Sequence, residues 1–513
     1  MDVDLVRNWA RDGLLPTFHD LLKESAWCQF ELPPEYASGM VWPSINTGLH
    51  PAEHQSGFGI QLIDGSYKLR PRRSSDIRGQ PFWRHFAEQG RRIVVADIPF
   101  SSIVPQFGGR QFLGWGQHDW IGGHGSEPAG LLNDLERQFG QYPLRLSMDY
   151  GHDAKSLQKL RRDLSDAIDA RTRMLRFLAK ADDWDFFYAA FPESHVAGHL
   201  LWHLSDERHP AHSAGLIAAV GGGLRETYIR LDKALGELLA ELGDDTCKVV
   251  FFSHGMGPNY HGDHLFPELL RRFNDARDKN GTSNELIGGT ERVWRMTIGR
   301  LPANLRRVAK IGVPLTIRRW ASAKRSQNPA SWRRSYGFAM PRLDGFSALR
   351  ANLVGREPDG LVAPGSDYHS YITALESEIR SWTNAETGQA AVDRIYKAED
   401  FTDPLTLGGR PDMMVWWSKT APIRTIRSPR LGSVSGPWLD EKSGEHVMHS
   451  LFLLHHPEAA PGRRKVSGMS PTDVAPTLFE LAGLEFCSVS QGRSVYADLF
   501  AACQQRNRQA GPK

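Results

Sequence analysis

The chain has 513 residues, 40% of them hydrophobic and 24% charged, with a formal net charge of +3. This is the composition of an ordinary globular protein, and so small a net charge argues against unspecific coating of nucleic acid. No apolar run reaches the roughly 18 residues that span a bilayer. The four cysteines form no Cys-x-x-Cys pair, which favours reduced thiols over a disulfide framework or a thiolate zinc site.

The N-terminal segment lacks the basic-then-apolar layout of a signal peptide, so we expect a cytoplasmic protein. Residues 4–16 predict a helix that ends near Pro16. A doubly wound sheet seldom begins with a helix, because its first helix must cross over from a strand. We therefore expect that a first strand is missing, either by truncation or because the start codon is misassigned.

Apolar runs of strand length alternate with helical patterns along the chain. Buried strands are predicted at residues 92–98, 185–190, 248–252, 413–417 and 451–454. Apolar residues at helical spacing predict amphipathic helices over residues 160–178 and 224–242. This alternation indicates an α/β fold with a mostly parallel central sheet and helices on both faces. In such sheets the functional loops leave the C-terminal ends of the strands.

Two histidines follow the second of these predicted strands. His195 and His199 lie four residues apart on a predicted helix and face the same way, as two ligands of one ion must. Glu193, in the same segment, is a further candidate for a metal ligand. His203 and His209 do not have the right spacing, so we interpret them as structural residues or as supports behind the ligands.

Two other histidines lie beside predicted strands. His446 ends the run Ser443-Gly444-Glu445-His446, just before an apolar strand, where its ring can point into a site at the sheet edge. His254 begins a Gly-rich loop at the end of the predicted strand 248–252, after Ser253. A loop histidine bonded to the backbone is the alternative interpretation of His254.

Residues 292–334 crowd Arg and Lys around Trp294, Trp320 and Trp332. We interpret the region as an inserted, mostly helical cap with a solvated basic face. Contact with an anionic substrate, an acidic partner or a membrane surface is the alternative. The predicted organisation is a catalytic α/β domain in two parts, residues 1–265 and 346–513, separated by the basic cap at 266–345.

Together these motifs resemble the type I phosphodiesterase/nucleotide pyrophosphatase branch of the alkaline phosphatase superfamily, in particular its predicted phosphohydrolase/phosphomutase members. The resemblance rests on the loop before His446, the run Asp473-Val474-Ala475-Pro476-Thr477-Leu478, the histidine segment 191–203 and the run 352–360. It extends from about Asp4 to Leu499 and implies an alkaline phosphatase-like fold.

The resemblance also implies the metal ligands, with departures from the family pattern. It assigns His195, His199 and His446 to one ion, although the family usually has Asp at the place of His195. It assigns His254 to a second ion, but Ser253 replaces an Asp and the family's first-strand Asp would fall before residue 1. Only His254 and Ser38 then remain of the four ligands expected for the second ion. Two ligands rarely hold an ion against water, so we expect one occupied site and a weak or empty second site. Imidazole ligands favour zinc, with manganese as the alternative.

The nucleophile is implied by the same resemblance. The run 33–54 resembles the family's nucleophile loop, in which a Ser or Thr lies nine residues before the Thr of a Thr-Gly-x-x-Pro-x-x-His motif. Counting back from Thr47 identifies Ser38, whose hydroxyl would meet the positive end of a helix dipole. A plain N-cap is the alternative role for Ser38.

The implied function is metal-dependent hydrolysis of a phosphate ester, either a phosphodiester or a pyrophosphate, through a Ser phospho-enzyme. A phosphoryl-group transferase and a non-catalytic binding protein are the alternatives, and Ser253 with the missing Asp favours the second. The expected partner is a small-molecule phosphate ester or another anionic substrate, and no specific nucleic acid is expected. The sequence identifies neither the substrate-binding residues nor the oligomeric state.

Overall fold

The computed structural model describes most of the chain. The described residues are 1–33, 35–36, 38–55, 60–105, 108–116, 123–144, 150–181, 183–277, 329–341, 345–400, 403–406, 408–436, 442–459, 461–464, 466, 468–485 and 490–500. The chain forms two compact units. The first unit comprises Met1–Gly57, Arg73–Asn259 and Asp440–Lys513, and the second comprises Phe58–Arg72 and Tyr260–Leu439.

The helices and strands of the described residues alternate along the chain. The helices are α1 Val3–Arg11, α2 Pro16–Glu24, α3 Ser38–Thr47, α4 Pro51–His54, α5 Trp83–Glu88, α6 Leu131–Phe139, α7 Ala154–Ala181, α8 Glu193–Leu201, α9 Ala214–Val220, α10 Gly223–Leu239, α11 Phe266–Arg277, α12 Pro329–Trp332, α13 Ser366–Arg380 and α14 Val474–Leu481. The strands are β1 Ala26–Glu31, β2 Ile60–Leu62, β3 Leu69–Pro71, β4 Ile93–Ala96, β5 Arg110–Leu113, β6 Gly125–Glu127, β7 Phe186–Ala189, β8 Lys248–Phe251, β9 Gly255–Pro258, β10 Gly337–Ala339, β11 Phe346–Ala351, β12 Thr383–Asn384, β13 Val392–Lys397, β14 Met413–Trp417, β15 Thr425–Ser428, β16 Gly432–Ser435, β17 Gly444–Val447, β18 His449–His455 and β19 Gly462–Arg463. Within the described part of the chain, no helix is both long enough and apolar enough to cross a bilayer.

The predicted α/β class is confirmed, but the sheets are mixed rather than mostly parallel. In the first unit, β4 pairs in parallel with β5 and β7. A second sheet has the order β19-β1-β18-β8, in which β18 runs antiparallel to both β1 and β8. An apolar run predicts that a strand is buried, but it does not predict whether the neighbouring strands are parallel or antiparallel to it. A long stretch of chain separates β8 from β18, and so long a connection allows the two strands to pair either parallel or antiparallel.

The core of the first unit lies between α7, α10 and the strands. Leu160 and Leu164 of α7 join Leu224 and Tyr228 of α10 in one buried cluster, which also contains Leu453 of β18. Farther along α7, Leu175 and Leu178 pack with Val94, Ala96 and Phe112 of the neighbouring sheet. The helical spacing of these apolar residues therefore predicted both the helices and their buried faces correctly.

The two units divide the chain differently from the three predicted segments 1–265, 266–345 and 346–513. Residues 346–439 belong to the second unit. There β11 and β14 pair with β10 and β13 in an antiparallel sheet, and this non-local pairing is not visible as a composition change. Residues 278–328 and 342–344 of the predicted cap lie outside the described residues, so the helical cap stays a prediction.

A buried ion cluster anchors the first turn of α8. Arg171 of α7 donates from Nε to Glu193 Oε1 at 2.8 Å, and its Nη2 lies 3.2 Å from Asp97 Oδ2. The Tyr142 hydroxyl also donates to Glu193 Oε1, at 2.9 Å. The three charged side chains are at most 1% exposed. One guanidinium therefore bridges two carboxylates, which come from the end of β4 and the start of α8.

Removal of this guanidinium should destabilise the fold. Arg171→Leu leaves two carboxylates buried without their cation, and we expect a loss of roughly 3–5 kcal/mol in the free energy of unfolding. Urea denaturation monitored by circular dichroism measures the change. Arg162→Leu, an exposed position on the same helix, is the matched control and should change stability little. Equal stability of the two variants would contradict the role given to Arg171.

Candidate metal centre

Three of the predicted metal ligands meet in the first unit. His195 and His199 lie on α8 and His446 on β17, and their ligand atoms are all within 4.8 Å of one another. The closest pair is His446 Nε2 and His195 Nδ1, at 3.3 Å. The three pairs of ring centroids are separated by 4.4, 4.9 and 4.8 Å. Within the described ranges this is the single group of three or more such side chains close enough to hold a metal ion.

The three rings meet because the backbones of α8 and β17 touch. Ser443 N–H donates to the carbonyl of His199 at 2.7 Å, just before β17 begins. A Cβ added at Gly444 would overlap the carbonyl oxygen of Gly198. No side chain therefore fits between the two elements at this point, and glycine is required at position 444. The result is that His446 on the strand faces the helix turn that carries His195 and His199.

A backbone carbonyl sets the orientation of His199. Its Nδ1 lies 2.8 Å from the oxygen of Gly444, so Nδ1–H donates this hydrogen bond. In a neutral imidazole the other nitrogen, Nε2, then carries the lone pair that a metal needs. The His199 ring is fully buried, and this contact orients it.

His254 lies beside the three histidines without joining their group. Its ring centroid is 4.0 Å from that of His446 and 5.8 Å from that of His195. Its Nδ1 lies 3.1 Å from the oxygen of Gly255, a local backbone contact. The neighbouring residue Ser253 is half-buried. The structure therefore brings His254 to the site, while its assignment to a second ion stays a prediction.

Glu193 does not belong to the ligand group. Its carboxylate accepts hydrogen bonds from Arg171 and Tyr142, and it is not among the group of three. The carboxylate that does face the histidines is Glu445, which lies 3.5 Å from His446 Nδ1 and 3.8 Å from His199 Nδ1. Glu445 belongs to the motif that ends at His446, and the sequence alone assigns it no role.

The predicted nucleophile begins α3. The side chain of Ser38 lies outside the described residues, so its distance to the histidines is not defined. Elsewhere on this helix, Ser44 Oγ and His54 Nε2 are 2.8 Å apart, and Thr47 Oγ1 donates to the carbonyl of Pro43 at 2.7 Å. Ser44 and Thr47 thus pack or cap the helix.

His203 and His209 form a separate pair with ring centroids 5.8 Å apart. His203 is 1% exposed, and neither of its ring nitrogens has a hydrogen-bond partner in the described structure. Burial, followed by the nearby His209, lowers the pKa of His203 to about 4. His203 is therefore a neutral, buried residue outside the ligand group.

Comparison with known families gives one match that covers more than half of the chain. Residues 1–281 match the family described as type I phosphodiesterase/nucleotide pyrophosphatase. The chain belongs to this family. The predicted membership of the type I phosphodiesterase/nucleotide pyrophosphatase branch is confirmed, and it places the protein among the phosphoric ester hydrolases.

Several solved structures are similar to this family member. Phosphonoacetate hydrolase from Sinorhizobium meliloti in complex with phosphonoformate is 14% identical, with a TM-score of 0.47 and coverage of 93% of this chain and 91% of that chain. Murine ectonucleotide pyrophosphatase/phosphodiesterase 5 is 11% identical, with a TM-score of 0.47 and 96% of both chains covered. The alkaline phosphatase PafA is 12% identical, with a TM-score of 0.49 and 96% of both chains covered. A comparison with curated proteins finds no match.

The contact between Gly444 and Gly198 yields a test with a matched control. Gly444→Ala forces a methyl group into the backbone of α8, and we expect a loss of roughly 1–3 kcal/mol in unfolding free energy together with weaker metal binding. At Gly198 an added Cβ meets the side chain of Met256, with Cε at 2.7 Å and Cγ at 2.9 Å, and a side chain can shift more easily than the backbone oxygen that blocks position 444. Gly198→Ala should therefore cost less on both measures. Unfolding curves and zinc titrations of the two variants compare them, and the reverse order would contradict the proposed contact.

His203 should make stability depend on pH. Its folded pKa of about 4 lies below the ordinary value of 6.5, so protonation favours the unfolded chain. The stabilising contribution is complete above about pH 6.5 and is lost as the pH falls towards 4, by about 3 kcal/mol at most. In His203→Leu the free energy of unfolding should fall less steeply over this range. The exposed His19 supplies the control variant, His19→Leu, which should keep the wild-type pH profile.

Proposed function

We propose that this protein hydrolyses a phosphodiester or a pyrophosphate, with Ser38 as nucleophile and one zinc ion bound by His195, His199 and His446. The observation that carries the proposal is the approach of the three imidazoles, whose ligand atoms lie within 4.8 Å of one another. Membership of the phosphodiesterase/nucleotide pyrophosphatase family supports the substrate class.

The donor set fits zinc. Zinc accepts imidazole nitrogen, and sites with three protein ligands leave a position open for water or substrate. The carbonyl of Gly444 fixes the His199 tautomer that leaves Nε2 for a metal, as in many histidine metal sites. Manganese prefers oxygen ligands, so we rank it second. A zinc ion bound here would polarise a phosphoryl oxygen as a Lewis acid.

The chain supplies the nucleophile and its surroundings. Ser38 is the first residue of α3, where the backbone N–H groups and the helix dipole favour an anionic phosphoryl group. In the proposed reaction, the Ser38 oxygen bonds to phosphorus as the bond to the leaving group breaks, and the proton of the Ser38 hydroxyl passes to the leaving oxygen. Water then cleaves the phosphoserine ester and returns the proton to Ser38.

We further propose that a single ion is bound and that diesters are preferred to monoesters. Ser253 offers a neutral hydroxyl beside His254, and a hydroxyl is a poor ligand for a divalent ion. A monoester dianion carries more charge than a diester anion. A centre with one dication therefore offsets the charge of the monoester less completely.

The experiment compares four proteins after loading with zinc: the wild type, Ser38→Ala, His446→Ala and Ser44→Ala. Hydrolysis of bis(p-nitrophenyl) phosphate and p-nitrophenyl phosphate is followed, and bound zinc is measured by mass spectrometry. We expect one zinc per chain and faster hydrolysis of the diester. Ser38→Ala should lose at least ~10²-fold in rate and keep its zinc, whereas His446→Ala should lose both. Ser44→Ala, on the same helix as Ser38, should keep the wild-type rate within a few-fold.

Three outcomes would contradict parts of the proposal. Near-wild-type turnover by Ser38→Ala would move the nucleophile elsewhere, and a wild type without zinc would remove the metal centre. Bound zinc with no hydrolysis of either probe would favour the alternative function, binding of an anionic ligand without turnover. Thermal unfolding of each variant shows whether a lost activity is merely a lost fold.

A further inference from the structure

Glu445 is a buried carboxylate that directly precedes a candidate metal ligand on β17. Only 1% of the residue is exposed. Consecutive strand residues normally point to opposite faces of a sheet, so its contact with the His446 ring needs a reason. The Glu445 Oε1 atom accepts a hydrogen bond from the His446 backbone N–H at 3.0 Å. This bond folds the carboxylate back to the strand edge where the histidines lie.

The contacts of Glu445 involve two of the three histidines and one cation. Its Oε1 lies 3.5 Å from His446 Nδ1 and 3.8 Å from His199 Nδ1. Its Oε2 lies 3.6 Å from Lys442 Nζ. Lys442 is more accessible, with 20% of its side chain exposed. The buried carboxylate thus stands between an ammonium group near solvent and the imidazole nitrogens that face away from the ligand group.

The charge of the centre explains why a carboxylate is needed there. Three neutral imidazoles add no charge, so a bound divalent cation would leave two positive charges in a largely buried position. Uncompensated charge in the interior is strongly unfavourable. Among the buried carboxylates, Glu193 is already paired with Arg171 and Tyr142, whereas Glu445 faces two of the histidines. Glu445 is the carboxylate placed to offset part of the charge of a bound ion.

We infer that Glu445 is the charge-compensating and positioning residue of the metal centre. Its charge acts on His446 Nδ1 from 3.5 Å and lowers the net charge of the loaded site, while Lys442 competes for the same carboxylate. It acts through the histidines and is therefore not a catalytic residue. The inference rests on the proposed metal centre, and it assigns a role to a residue outside the three-histidine ligand set.

The direct test is zinc affinity, measured by competition with a chromophoric chelator. Glu445→Gln removes the charge with little change in shape, and we expect zinc affinity to fall about 10–100-fold, as for other residues that support metal ligands. Lys442→Met removes the competing cation, so affinity should rise several-fold. The opposite signs separate an electrostatic role from general damage to the loop. Absorption of the cobalt-substituted proteins reports whether the ligand geometry also changes.

A rescue variant sharpens the test. His195→Asp places a carboxylate directly among the ligands, which makes a second carboxylate at 445 less necessary. Added to Glu445→Gln, His195→Asp should raise zinc affinity about tenfold. The effects of the two substitutions on the free energy of zinc binding should therefore be strongly non-additive. Additive losses in the double variant would overturn the inference, as would a Glu445→Gln protein that binds zinc within twofold of wild type.

Failure of the inference about Glu445 can be distinguished from failure of the proposed function. A wild type that binds no zinc contradicts the metal centre itself, whereas a wild type that binds zinc without help from Glu445 contradicts only this inference. Should Glu445→Gln fail to fold, Lys442→Met decides alone. Tighter zinc binding supports the inference, and unchanged or weaker binding overturns it.

Discussion

The contact of two backbones, α8 at Gly198 and β17 at Gly444, is the constraint on which the site depends. Glycine at position 444 removes the side chain that would separate the two elements, and the hydrogen bond from Ser443 to the His199 carbonyl closes the junction. The same junction presents the Gly444 carbonyl to the His199 ring. This one contact between backbones therefore sets the distances between the candidate ligands. It also sets the orientation and the tautomer of the His199 ring.

Much of the site was predictable because its signals are local. Four-residue spacing on a helix indicated His195 and His199, and the position of His446 before an apolar strand indicated the third ligand. Direction of strand pairing was not predictable, since burial looks the same in parallel and antiparallel neighbours. β1 was not predicted because Gln29 and Glu31 interrupt its apolar pattern. The role of Glu445 depends on a side chain that folds back along its own strand, and no spacing rule encodes that.

The run 352–360 lies outside residues 1–281, which match the family, and its side chains stabilise the second unit. In the second unit, Arg356 forms a two-pronged pair with Asp412, at 2.8 and 2.6 Å, and Arg350 donates to Glu357 at 2.6 Å. Both pairs are almost completely buried. Each of the two cations is paired with a buried anion, so these residues stabilise the interior of their unit. A motif recognised by resemblance here identifies the architecture rather than a reacting group.

The order of the ligands along the chain has a consequence for biosynthesis. His446 lies 251 residues after His195, and most of the second unit is encoded between them. At translation rates of roughly 5–20 residues per second, α8 leaves the ribosome roughly 10–50 s before β17 is made. During that interval His195 and His199 lack the third imidazole of the group. Completion of the three-histidine group is thus a late event in the life of the nascent chain, and the proposed ion can be held by all three imidazoles only after β17 has been made.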